Sequence, residues 1–140
     1  MKKLIAALFA AVLMAAGLVV STGGTASADC TPTQYAGCVA TRTVVSGPGV
    51  VAQGKKARIC ATVKARGSNA TPRGTVVFKV TRNAGGYFFK KSKSYSGNKK
   101  CITTSKLFKR GGYSVDVRFK APNNSVFINS DGSTGFDVVS

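Results

Sequence analysis

KARICATVKA, residues 56–65, is the stretch that decides the fold. Ala57, Ile59, Ala61, Val63 and Ala65 alternate in it with Lys56, Arg58, Cys60, Thr62 and Lys64. Successive side chains of a strand point to opposite faces, so an apolar period of two buries one face and wets the other. The run predicts a half-buried β-strand with Cys60 on its wet side.

The same alternation recurs on both sides of this run. Val76, Phe78 and Val80 predict an inward face for a strand over Thr75–Thr81, and Tyr113, Val115, Val117 and Phe119 predict one for the strand that follows Gly111-Gly112. Phe136 and Val138 do the same for Gly135–Val139, and Thr41–Val45 reads as a first strand. Lys100–Ser105 is a short strand containing Cys101, while Tyr87-Phe88-Phe89 opens a strand that decays into lysines and serines. Turn signals separate these runs: Ser46-Gly47-Pro48-Gly49, Gln53-Gly54, Gly67-Ser68-Asn69, Pro72-Arg73-Gly74, Asn83-Ala84-Gly85-Gly86 and Pro122-Asn123-Asn124. About seven short strands with frequent turns predict an all-β, two-sheet sandwich.

The N-terminus reads differently. Lys2 and Lys3 precede an apolar stretch, Leu4–Val20, and Ala26-Ser27-Ala28 follows. A basic start, an apolar middle and an A-x-A end make a secretory signal peptide with cleavage before Asp29. The apolar stretch is at the short end for a membrane span. Expected boundaries are therefore a cleaved signal peptide at 1–28, a Cys-bounded loop at 29–39 and one sandwich domain at 40–140, with no integral span after cleavage. Cys30, Cys38, Cys60 and Cys101 all fall after the cleavage point. An even cysteine count in an exported small domain reads as two disulfides, and four cysteines allow three pairings.

Charge is the other strong signal. The formal net charge is +17, and losing Lys2 and Lys3 takes 2 from it, leaving +15. The four acids are Asp29, Asp116, Asp131 and Asp137. Solubility needs far less charge than this, and self-repulsion destabilises the compact state, so a polyanionic partner or surface is expected. The densest basic segment holds Lys90, Lys91, Lys93, Lys99, Lys100, Lys106, Lys109 and Arg110 without an acid. Tyr87, Phe88, Phe89, Tyr95 and Phe108 lie in or beside it. Cations interleaved with rings can hold a polyanion by charge and stacking, and the eight cations are the candidate anion-binding residues. The competing structural reading puts half of those rings in the core and the lysines on a solvated face.

Catalysis finds little support. There is no histidine, which removes the usual general base. No paired carboxylates, nucleophile elbow or phosphate loop occurs. The cysteines are expected to be oxidised rather than nucleophilic or metal-binding. The expectation is a non-enzyme without cofactor or metal.

One ordered set of motifs resembles a known family. Gly54 precedes the 56–65 strand; Pro72-x-Gly74-x-Val76-x-Phe78 follows, then Gly112-Tyr113-x-Val115-x-Val117-x-Phe119, and Phe136-x-Val138 ends the series. Over residues 40–139 this resembles the bacterial Ig-like domain that occurs as repeats in exported and cell-surface proteins, especially of actinobacteria. The resemblance implies an Ig-like β-sandwich and a spacer, adhesion or binding role, with no catalytic residue. Two features depart from it: the domain is a single copy rather than a tandem array, and it carries four cysteines. In the Ig-like topology the strands of Cys60 and Cys101 would be neighbours in one sheet, both cysteines outward. That implies a Cys60–Cys101 staple, leaving Cys30–Cys38 to close the N-terminal loop.

Three roles follow as expectations. The first is a secreted module at the cell envelope, held by an anionic cell-wall polymer. The second is a cationic effector acting on nucleic acid or an anionic membrane. The third is an inhibitor or receptor-binding domain using the 30–38 loop or a Ser92–Asn98 loop.

Overall fold

The computed structural model describes residues 37–140. The signal peptide at 1–28 and Cys30 lie outside the described residues. Cys38 is disulfide-bonded.

Eight strands follow in order: β1 (Thr41–Ser46), β2 (Val50–Ala52), β3 (Arg58–Ala65), β4 (Arg73–Arg82), β5 (Phe88–Ser96), β6 (Lys100–Thr103), β7 (Gly111–Lys120) and β8 (Ser130–Val139). They form a three-stranded sheet, β1-β3-β6, and a five-stranded sheet, β2-β8-β7-β4-β5. Every pairing is antiparallel except β2 with β8. The two sheets make a β-sandwich.

The decisive stretch behaves as its alternation predicts. Ile59, Ala61 and Val63 are buried on the inner face of β3 while Arg58 and Lys64 are exposed. Facing them, the five-stranded sheet supplies Val76, Phe78 and Val80 from β4, Tyr113, Val115, Val117 and Phe119 from β7, and Phe136 and Val138 from β8, all buried. Tyr113 stacks on Phe136 with centroids 5.2 Å apart, and Tyr95 meets Phe119 edge-on at 6.0 Å. Such aromatic pairs add to the area they bury.

Cys60 and Cys101 stand opposite each other in the β3–β6 register and are bonded, with Cα atoms 4.0 Å apart. The outer-face staple is therefore present, although Cys60 is only 9 % exposed.

Three sequence expectations are corrected, and one strand was not anticipated. β8 begins at Ser130, not Gly135, because the inner side of its first half carries Ser130 and Gly132, which give no apolar period. The Ser130 hydroxyl instead bonds Thr41 and Thr43 of β1 at 2.7 and 2.8 Å. A Cβ on Gly132 would stand 2.5 Å from the Thr43 carbonyl oxygen, so the sheets approach there too closely for any side chain. Pro72-Arg73-Gly74 is not wholly a turn: Gly74 lies inside β4, where a Cβ would run into the Lys120 carbonyl. The Ser92–Asn98 loop does not exist as such, since Ser92–Ser96 belongs to β5. β2, three residues that pair with the end of β8, has too few positions to show a period.

Candidate functional site

The structure disperses the eight candidate cations. Lys90, Lys91 and Lys93 sit on β5, the edge of the five-stranded sheet. Lys91 and Lys93 pair with Phe78 and Val76, so they lie on the inner side of the sheet, yet they remain exposed. The wide sheet overhangs the narrow one at this edge. A long edge strand exposes unpaired backbone groups, and lysines on its inner side block another strand from docking. That structural duty accounts for Lys91 and Lys93. Tyr95, on the same side further along β5, is buried.

Lys90 lies on the outer face. There Lys79, Lys90, Arg118 and Lys120 surround an open hollow of about 590 Å³ together with Asp116 and Asp131. Lys79 pairs with Asp116 in the register, and Arg118 donates to Asp131 at 2.9 Å. This face is of mixed sign.

Among the described residues all three acids, Asp116, Asp131 and Asp137, lie on β7 and β8. The outer face of the narrow sheet carries none. Arg42 and Lys64 are opposite each other on β1 and β3, Arg58 begins β3, Lys56 lies just before it, and all are exposed. Lys99 joins Arg58 around a second hollow of about 410 Å³ that has Cys60 and Cys101 in its wall. At about 3.3 Å per residue, the cations from Lys56 to Lys64 span about 26 Å. The Cys60–Cys101 disulfide lies in the middle of this acid-free face. Sequence reading put Lys56, Arg58 and Lys64 on the wet side of one strand, but it missed Arg42, which joins them only through strand register, opposite Lys64.

Lys106, Lys109 and Arg110 occupy the connection between β6 and β7, at one end of the sandwich. Leu107 is fully buried there and Phe108 is 65 % exposed. The connection is pinned to Gln53, Gly54, Lys55, Arg82 and Tyr113 by hydrogen bonds. Lys100, at the start of β6, pairs with Ala61 and is half-buried. Burial raises the pKa of Tyr113 above that of a free phenol; Arg82 acts against this and Tyr87 with it.

Among the described residues no three His, Cys, Asp or Glu side chains group together as metal ligands would. No described helix is long and apolar enough to cross a membrane.

No family model matches the chain, and no curated protein matches its sequence. Among solved structures it is similar to a superoxide reductase (neelaredoxin) of Ignicoccus hospitalis, with 9 % identity over 70 % of this chain and 80 % of that one, at a TM-score of 0.48. It is similar to the CARDB domain of a Pyrococcus furiosus protein in complex with di-metal ions, with 18 % identity, 75 % and 97 % coverage and a TM-score of 0.44. It is also similar to the alkylpurine DNA glycosylase AlkC of Pseudomonas fluorescens bound to DNA containing an abasic site analogue. That likeness has 18 % identity, covers 73 % of this chain and 30 % of the other, and has a TM-score of 0.41.

Proposed function

We propose that this chain is a secreted, non-catalytic Ig-like module that works at the cell envelope and binds an anionic wall polymer through the outer face of its narrow sheet. The observation that carries the reading is the segregation of charge. Arg42, Lys56, Arg58, Lys64 and Lys99 share a face without a described acid, whereas every described acid stands on β7 or β8. A repeating polyanion laid across that face meets successive cations and no repulsive group, and the encounter is steered by the whole field.

Two observations support the Ig-like part. The order β1-β3-β6 against β2-β8-β7-β4-β5 is that of an Ig sandwich whose C′ strand extends the second sheet. Tyr113, near the start of β7, donates its hydroxyl proton to the Lys109 carbonyl at 2.7 Å. That is the geometry of the tyrosine corner of Ig domains. The disulfide departs from the antibody pattern, because it joins two strands of one sheet on the outside. The paired, outer-face cysteines and the signal-like leader support export.

Co-sedimentation with purified, anionic cell walls tests the reading. The oxidised protein is expected to stay bound at low ionic strength and to be released as salt shortens the Debye length to about 8 Å. A protein that stays in the supernatant at low salt contradicts it.

A further inference from the structure

We infer that the β6–β7 connection is a second, separate docking site, a rigid tip that inserts Phe108 into the interface of an anionic lipid bilayer.

The tip is built in an unusual way. Four successive carbonyls, from Leu107 to Arg110, each accept a hydrogen bond from the body of the domain. Leu107 O accepts from the Gly54 amide at 2.7 Å and Phe108 O from the Gln53 side-chain amide at 2.6 Å. Lys109 O accepts from the Tyr113 hydroxyl at 2.7 Å and Arg110 O from the Arg82 guanidinium at 2.9 Å. Leu107 is fully buried and fastens the loop to the core. Backbone direction and anchorage are thereby fixed, and Phe108 stands out at 65 % exposure between Lys106, Lys109 and Arg110.

Exposing a phenylalanine this fully while spending four backbone partners to hold it does not serve the core. It suits a lipid interface. An unsatisfied carbonyl carried into an apolar layer is costly, and here all four are already paired. Cations behind an apolar tip match anionic headgroups, and their long stems let the charges stay at headgroup level. Val139, 43 % exposed, adds apolar surface at the same end, since Gln53 bonds both its carbonyl and that of Phe108. Phe88, 63 % exposed, lies beside Tyr87, whose hydroxyl bonds Ser105 at 2.9 Å at the base of the tip. Asp137 on β8 is the one described acid toward this end. Single-stranded nucleic acid fits less well, because it is held in grooves lined by several stacking rings, whereas Phe108 is a single ring at the end of a loop whose carbonyls are already occupied, with Phe88 only at its base.

The chain contains no tryptophan, so Phe108→Trp places one indole at the tip as a local reporter. The oxidised variant, with its disulfides and circular dichroism checked, is titrated with phosphatidylglycerol vesicles, phosphatidylcholine vesicles and a single-stranded oligonucleotide. A blue shift of indole emission with the anionic vesicles alone is the expected result. In the parent protein, Phe108→Ala is expected to lower partition into those vesicles by about tenfold or more, and Lys106→Ser by about fivefold. R42S/R58S/K64S is expected to leave the blue shift in place, so failure of the wall-polymer reading and failure of this one are separate results. Vesicle binding without a change in emission overturns the proposal, as does an emission change given by the oligonucleotide and not by the vesicles.

Discussion

The Tyr95 hydroxyl accepts from the Val63 amide at 2.8 Å and donates to the Val63 carbonyl at 3.0 Å, so a side chain of the wide sheet completes the ladder of the narrow one. β6 begins at Lys100 opposite Ala61, and Val63 is the next residue of β3 whose backbone groups face that way. At the other end Thr104 does the same for Ala57, its hydroxyl accepting from the Ala57 amide at 2.9 Å. A four-residue strand thus serves a longer stretch of β3 because two side chains take over where it stops.

Replacing Tyr95 by Phe keeps the ring and leaves the Val63 amide and carbonyl without partners in a buried place. The expected cost is about 2 kcal/mol. It reads as a lower urea midpoint at an unchanged slope.

Removing the staple acts mainly on the unfolded chain. The Cys60–Cys101 bridge closes a sequence separation of 41 residues, and the chain-entropy relation puts its contribution at about 4 kcal/mol. Both side chains lie on the outer face, so C60A/C101A leaves no core cavity to confuse the comparison. Urea unfolding of the double variant against the oxidised parent measures it.

Two glycines separate close approach from mere flexibility. Gly132→Ala drives a methyl group against the Thr43 carbonyl and is expected to cost about 1–3 kcal/mol. Gly49, with nothing within 4 Å of its missing Cβ, should accept Ala within about 0.5 kcal/mol. Melting temperatures of the pair check both.

Alkaline pH should loosen the fold through Tyr113. Its pKa is raised by burial in the folded state. The unfolded chain then loses the phenolic proton first, so the stability is fully present below the ordinary tyrosine pKa of about 10 and falls as pH rises through the folded value. Tyr113→Phe should abolish that part of the pH dependence while losing about 1 kcal/mol at neutral pH with the bond to Lys109. Tyrosinate absorbance followed alongside unfolding tests the sign.

Much of the sandwich was legible because β3, β4 and β7 bury one face and wet the other, which writes a period of two into the sequence. Parity put Cys60 and Cys101 on outer faces, while their pairing came from the resemblance to Ig-like domains, which makes their strands neighbours in one sheet. The first half of β8 was not, because its inner side is held by Ser130 hydroxyls and the bare backbone of Gly132 rather than by apolar side chains. β5 was misread because Lys91 and Lys93 occupy inner positions of an overhanging edge, where polarity follows exposure rather than parity. The charged surface was legible as charge and not as a face: Arg42 meets Lys64 only through register, and nothing in Lys106-Leu107-Phe108-Lys109 says which of two adjacent apolar residues is buried.

The central claim is that the acid-free face, rather than net charge alone, holds the polymer. R42S/K56S/R58S/K64S and K79S/K90S/R118S/K120S remove the same formal charge from opposite outer faces. Affinity for poly(glycerol phosphate) measured across a salt series should fall by about tenfold or more for the first variant, with a log–log salt slope shallower by about three. The second should lose less than about threefold, reflecting only the weaker overall field. Equal losses, or a larger loss for the second variant, would contradict the account.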